Sequence, residues 1–352
     1  MKSKNKFIIL IGCVLVFSLA FTFLRPTPIY FQIPKGWPKP NYDFSKNPLT
    51  EEGFQLGRKL FYDPILSKDS TISCASCHLQ ATGFTHVDHS LSHGIDGKIG
   101  TRNSMTMMNL AWSKTFMWDG GVNHLDVQPL NPITSSVEMN ETLANVVQKL
   151  QKSDKYKSLF FAAFGDENIT GQRVLKALSQ YELMLVSSNS KYDKVIRKEA
   201  VFTEQERNGY QLFKNNCASC HTEPLFTNGK YENNGIPLDT TLNDIGRQRI
   251  TEKSEDNLKF KVPTLRNIQF TNPYMHDGRF QTLEEVVDFY NDGINISNTI
   301  SPIMVKIDSN GDSSGIANGL FLTNQEKSDL IAFLKALTDE EFLTDPIYSN
   351  PN

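Results

Sequence analysis

A chain of 352 residues, 39% hydrophobic and 21% charged, has the composition of a folded protein and the length for two domains of ordinary size. The formal net charge of −3 argues against nucleic acid as a partner, which would call for a basic face.

The N-terminus departs from the average. Lys2, Lys4 and Lys6 precede an uncharged run from Phe7 to Leu24, the pattern of a Sec-type export signal or of a single membrane anchor with its lysines in the cytoplasm. Residues 1–24 are read as that segment, which sends the rest of the chain to the periplasm or the outer face of the cytoplasmic membrane. Leu10-Ile11-Gly12-Cys13 has the form of a lipoprotein box, but apolar residues continue beyond it, which argues against lipidation. Residues 25–48 carry six prolines and read as an extended tether.

A helix is predicted from Thr50, with Glu51 and Glu52 in its first turn, Phe54, Leu60 and Phe61 turned inward, and a stop before Pro64. A second opens at Thr142-Leu143 with Val146 and Val147. A third runs from Gly171 to Ser187, burying Val174, Leu175, Leu178, Tyr181 and Leu185. The polar stretch Ser188–Lys198 reads as a linker. Beyond it, Thr203 and Glu206 form a capping box before Tyr210, Leu212 and Phe213. Thr282-Leu283 opens a helix with Val286 and Val287. Thr323 and Glu326 cap a last one that buries Leu330, Phe333, Leu334 and Leu337. Asp308-Ser309-Asn310-Gly311-Asp312 opens like an EF-hand loop, but Gly319 stands where the closing glutamate belongs, so it reads as a turn.

The two halves repeat one plan. Gly-x-x-Leu-Phe occurs at Gly57–Phe61 and at Gly209–Phe213, each leading into Cys-Ala-Ser-Cys-His. Arg102-Asn103 precedes Met117-Trp118-Asp119-Gly120, as Arg266-Asn267 precedes Met275-His276-Asp277-Gly278. Each set is followed by a Thr-Leu helix start. Four shared signals in the same order mark an internal duplication. The fold class expected is all-α, with two tandem cytochrome c-like domains, 49–190 and 191–352, each with one covalently bound haem c.

That haem assignment comes from Cys74-Ala-Ser-Cys77-His78 and Cys217-Ala-Ser-Cys220-His221. Two thiols at this spacing form thioethers to the two vinyl groups of a porphyrin, and the adjacent imidazole swings beneath the iron as proximal ligand. A zinc site built from the same four cysteines would leave both histidines unexplained.

With these motifs in view, the chain resembles the bacterial di-haem cytochrome c peroxidases and their relative MauG. The resemblance runs from about Asn47 to Leu337. It is carried by LTEEG…LGRKLFYDP, TISCASCH, GTRNSM, FMWDGG, VPTLRNI, PYMHDGRF and TLEEVVDFYN, together with Gln128, Pro132-Ile133 and Val137-Glu138-Met139.

The resemblance implies a peroxidatic haem ligated by His78 and an electron-accepting haem ligated by His221. It places Glu138 and Gln128 as the distal acid–base pair and Trp118 between the haems. It places Asn103, with the carbonyls of Thr271 and Pro273, at a calcium ion. His93 falls near a histidine that blocks the peroxidatic iron in classical members; read as residues alone, it is equally a solvated loop histidine beside His86 and His89. Tyr290 stands where classical members have a distal methionine, as in MauG; Met275 is a rival by residue type, although its motif's methionine is not the ligand in the family, and Met304 is a weaker one.

The implied reaction is reduction of hydrogen peroxide with electrons from a small c-type cytochrome or cupredoxin. The alternatives are MauG-like oxidation of a protein substrate and a non-catalytic electron-transfer cytochrome. Family members are often homodimers.

Overall fold

The computed structural model describes residues 26–307 and 313–351. The export segment or anchor, the lipoprotein box and the Asp308–Asp312 turn lie outside the described residues. Among the described residues, no helix is long and apolar enough to cross a membrane.

Thr50 caps the first helix, α1 (Glu51–Tyr62): its hydroxyl accepts the Gly53 N–H, and Glu51 and Glu52 sit at the positive end of the helix dipole. The first half continues with α2 (Leu130–Thr134), α3 (Leu143–Gln151), α4 (Asp154–Phe164) and α5 (Gly171–Met184). The second half holds α6 (Lys191–Ile196), α7 (Glu204–Asn216), α8 (Gln248–Thr251), α9 (Leu283–Asp292), α10 (Asn324–Lys335) and α11 (Glu340–Thr344). Reciprocal capping boxes form at Thr203 and Glu206, at Thr282 and Glu285, and at Thr323 and Glu326.

The shared Gly-x-x-Leu-Phe motif has a structural cause. α1 crosses α5 at Gly57, where a Cβ would run into the Ala177 carbonyl. α7 crosses α10 at Gly209, where it would run into the Asp329 carbonyl. Only glycine permits these backbones to approach so closely. The neighbouring aromatic residues fill the two cores, Phe61 with Phe54, Phe84 and Tyr181, and Phe213 with Phe226, Leu330 and Phe333. Each such fully buried side chain contributes about 1.5–3 kcal/mol.

The structure departs from the sequence expectations at five places. The fold is helix-rich as expected, but it carries two short strand pairs that the sequence reading did not anticipate. β1 (Tyr231–Glu232) pairs antiparallel with β2 (Phe260–Lys261), and β3 (Val305–Ile307) pairs with β4 (Ser313–Ala317). β2 is held extended from both sides, since Lys261 N–H donates to Trp118 O (2.7 Å) and Val262 N–H to Lys230 O (2.9 Å).

The helix expected to reach Ser187 ends at Met184. Asn109 draws the chain away there, donating its backbone N–H to Leu185 O and accepting the Ser187 N–H on Oδ1.

The linker contains α6, because Ser190 and Asp193 cap one another and Asp193 pairs with a buried arginine, Arg266.

The proline-rich segment is extended but docked, not a free tether. Phe31 and Trp37 pack on Trp112 with ring centroids 5.5 and 4.9 Å apart, and Trp112 Nε1 donates to Pro38 O (2.8 Å).

The last residues of the chain, finally, pack against the first half. Phe342 and Leu343 join the first core, Arg58 donates to Ser349 O and Pro346 O, and the Tyr181 hydroxyl to Tyr348 O.

Candidate functional site

Cys74, Cys77, Cys217 and Cys220 are free thiols, each pair presented on a tight turn after its helix. The two histidines that follow are held alike. His78 Nδ1 lies 2.7 Å from Phe84 O, and His221 Nδ1 lies 3.1 and 3.2 Å from Phe226 O and Pro263 O. A carbonyl only accepts, so Nδ1 carries the proton and Nε2 keeps its lone pair for a metal. Burial lowers the pKa of both rings, His221 to about 4, and keeps them in the neutral, ligating form.

The second site is a cavity of about 620 Å³, a size typical of ligand and cofactor pockets, lined by Cys217, Cys220, His221, Met275, Tyr290 and Met304 among others. Thiol pair, imidazole tautomer and cavity fit a covalently attached haem. In the first half the thiol pair and imidazole fit one in the same way.

Glu138 lies in the loop after α2. Its N–H donates to Ser135 O, and its carbonyl accepts the Ile95 N–H (2.8 Å). Two residues before Ile95, the His93 carbonyl lies 3.4 Å from Cys77 Sγ. The Glu138 loop is thereby tied to the first attachment motif. Burial raises the Glu138 carboxyl above its ordinary range, against a Ser135 hydrogen bond that lowers it. Gln128 sits at the other end of α2 and points its amide at Met117 Sδ (3.9 Å).

The imidazole of His93 is exposed and stacks on His89, which stacks on His86, with centroids 4.3 and 4.4 Å apart. The sequence marks these three histidines only as common in the loop; their stack is set by the loop's non-helical path, which their spacing does not reveal.

Trp118 is buried between the halves. Its Nε1 donates to Asn103 O (2.9 Å), and Phe260 stacks on His276 (3.6 Å) beside it. Arg102 ties the halves together here, with Nε and Nη2 on Asp244 and Nη1 on Asp119. Lys261, which sequence reasoning missed, is buried in the same place. Burial lowers its pKa to about 8, and its ammonium donates to Thr115 O. Nothing in the local sequence distinguishes it from a surface lysine.

The expected calcium ligands converge in part. Asn103 Nδ2 is set against Pro273 O (2.5 Å) and Met275 O (3.2 Å), while Asn103 Oδ1 is buried without a partner. Thr271 lines the same cavity. Turning the amide over would present an oxygen to those carbonyls, the all-oxygen donor set that calcium takes. The duplicate residue, Asn267, is satisfied at both ends by Ser187 Oγ, Met108 Sδ and Asp339 N–H. Only the Asn103 side leaves an oxygen to be used.

In this cavity the Tyr290 oxygen accepts a hydrogen bond from Asn234 Nδ2 (2.9 Å), and Met275 Sδ lies 3.8 Å from the same nitrogen. Met275 and its duplicate Met117 both have left-handed backbones, φ 74° and 69°, a strained conformation for methionine that recurs at functional sites. Asn234 too was missed; Asn233-Asn234-Gly235 reads as an ordinary turn.

The family profile described as di-haem cytochrome c peroxidase matches residues 51–201. The methylamine utilization protein MauG of Methylophilus methylotrophus is 32% identical over 337 residues, covering 94% of each chain. Cytochrome c551 peroxidase of Nitrosomonas europaea is 33% identical over 292 residues, covering 82% of this chain and 80% of that one. A solved MauG-like protein associated with microbial copper homeostasis aligns with a TM-score of 0.79 at 33% identity, covering 92% of this chain and 99% of that one.

Proposed function

The chain belongs to the di-haem cytochrome c peroxidase family, which includes MauG, and on that premise we propose that it reduces hydrogen peroxide to water on the outer side of the cytoplasmic membrane. The electrons come from a small c-type cytochrome or a cupredoxin. Cys74, Cys77 and His78 hold one haem c, and Cys217, Cys220 and His221 hold the other. When bound, the haems supply the one-electron centres and the iron at which peroxide is reduced.

The observation that carries this reading is the half-buried Glu138, whose backbone is tied through Ile95 and His93 to the first attachment motif and whose carboxylate is near enough to add to burial in pushing up the thiols of Cys74 and Cys77. Reduction of peroxide consumes two electrons and two protons and releases two waters. A carboxyl at this place takes the proton from the near oxygen of peroxide and returns it to the far one, so that the far oxygen leaves as water. Gln128, at the opposite end of α2, orients the bound peroxide with its amide. Trp118, with Nε1 fixed on Asn103 O, lies between the two halves and relays the electron. Asn103 and the carbonyls of Pro273 and Thr271 would hold a calcium ion, whose charge would brace the interface around that indole.

The test is peroxide-dependent oxidation of a reduced small c-type cytochrome by the haem-loaded protein, both as isolated and after prior reduction. Turnover in either state that falls about 10²- to 10⁴-fold in Glu138→Gln supports the assignment. Equal turnover in the variant removes Glu138 from it. A requirement for prior reduction that disappears in His93→Gly assigns His93 as a ligand that gates the first iron.

The hydrogen-bonded Tyr290 in the second cavity favours a second reading, MauG-like oxidation of a protein substrate, with Tyr290 as the distal ligand of the second haem. Persistent oxidation of the haems by peroxide without turnover of the small donor would support it.

A further inference from the structure

Asn234 stands where two rival iron ligands meet. Its loop is fixed from both sides. The Asn233 side chain donates to Ser297 Oγ and Thr299 Oγ1 and accepts the Gly235 N–H, and Asn295 N–H donates to Gly235 O.

The orientation of the Asn234 amide is also fixed. Oδ1 accepts the Ile236 N–H (3.3 Å), which leaves the NH₂ end facing the cavity. That end has two possible acceptors, the Tyr290 oxygen at 2.9 Å and Met275 Sδ at 3.8 Å. The first distance is an ordinary hydrogen bond, and a thioether is a weak acceptor. The amide therefore holds the oxygen. Its donation strengthens further when that oxygen bears negative charge, as a metal-bound phenolate does.

From this geometry we infer that Asn234 is the positioning residue that makes Tyr290, and not Met275, the distal ligand of the second haem. It holds the oxygen in place and favours its charged form, which the sulfur cannot match. The inference rests on the reading of Tyr290 as that ligand. It predicts that the ligand set is decided by a side chain that does not itself bind iron, as outer-shell partners do at other metal sites.

The experiment uses the haem-loaded full chain and two readouts independent of turnover: the thioether-to-iron charge-transfer band of the oxidised protein and the midpoint potential of the second haem. Wild type is expected to lack the band. Asn234→Leu removes the donor at similar volume, so the band should appear and the potential rise, by about 59 mV for each factor of ten in ligand preference. Asn234→Asp keeps an acceptor for Ile236 but replaces the donor with another acceptor, and should shift both readouts the same way. It serves where the leucine variant does not assemble. Adding Met275→Leu to either variant should abolish the band, identifying Met275 rather than Met304 as the source of sulfur.

A wild-type protein without the band, and variants identical to it in band and potential, would overturn the role of Asn234 while leaving Tyr290 in place. A band already present in wild type would overturn the Tyr290 reading, and this inference with it.

Discussion

Trp118 and His276 hold equivalent places in the two copies of the duplicated motif, and the fold sets them edge to face across the interface, ring centroids 6.5 Å apart at 73°. Their surroundings are exchanged between the halves. Asn103 N–H donates to His276 O, the Trp118 indole donates to Asn103 O, and Lys261 N–H donates to Trp118 O. The duplication thus produces a pseudo-symmetric contact in which one copy supplies an oxidisable indole and the other an imidazole.

Replacing Trp118 by phenylalanine keeps the ring packing but removes the indole and leaves Asn103 O without that donor. Peroxide turnover with a small cytochrome donor should fall more than about tenfold, equivalent to about 1.4 kcal/mol of barrier. Rapid-mixing reduction of the second haem by the donor should be unchanged, because that step lies upstream of the indole. Wild-type turnover in Trp118→Phe would take the indole off the electron route.

The orphaned Asn103 oxygen gives a metal-dependent prediction. If calcium sits at Asn103, Pro273 and Thr271, then calcium at about a hundred times its Kd adds about 2.7 kcal/mol to stability. Thermal melts of the haem-loaded protein should fall in a calcium chelator and recover on adding calcium back. Asn103→Leu should melt at one temperature in both conditions, whereas Asn267→Leu, whose parent side chain is already satisfied, should keep the calcium response whatever its own stability. A wild-type melt indifferent to chelator would remove the ion from this site.

The parts of this molecule legible in the sequence were those written locally. Thr203 with Glu206 and Thr323 with Glu326 announce their helices within four residues, and each Cys-Ala-Ser-Cys-His carries its chemistry in five. The rest depends on partners far along the chain. α6 is a polar stretch until Asp193 meets Arg266, 73 residues away. The proline-rich segment looks free until Trp112 receives it. α5 stops at Met184 because Asn109 competes for the next carbonyl. Asn234 carries no mark of its own, since only the fold brings Tyr290 and Met275 to its amide.

The duplicated glycines test whether the motif is about packing. A methyl group at Gly209 overlaps Asp329 O, and the helices can relieve that only by moving apart and loosening Phe213 from Phe333. Gly209→Ala should therefore destabilise the haem-loaded protein by about 1–3 kcal/mol in denaturant unfolding, and Gly57→Ala by a similar amount. Alanine variants as stable as wild type would mean that the crossings can open without cost.

The ion pair that anchors α6 makes the sharpest prediction about pH. Arg266 is fully buried. Nη1 and Nη2 each lie 2.8 Å from a separate Asp193 oxygen, Nε and Nη2 donate to Pro224 O, and the guanidinium lies over the Trp37 ring at 4.6 Å. Burial pushes the Asp193 carboxyl up, but Arg266 and the Ser190 hydroxyl and amide pull harder, and its pKa ends below the ordinary value. Asp193→Asn strands a buried guanidinium and should cost about 3–5 kcal/mol near neutral pH. A carboxyl with a lowered folded-state pKa contributes its full stabilisation above the unfolded value, about 3.9, and loses it as pH falls through the lower folded one. Denaturant unfolding of wild type and Asp193→Asn should thus differ by a constant amount from neutral pH down to about pH 4 and converge below it. A difference that stayed constant through the acid range would show that the asparagine acts by altering the packing of α6, not by removing the charge.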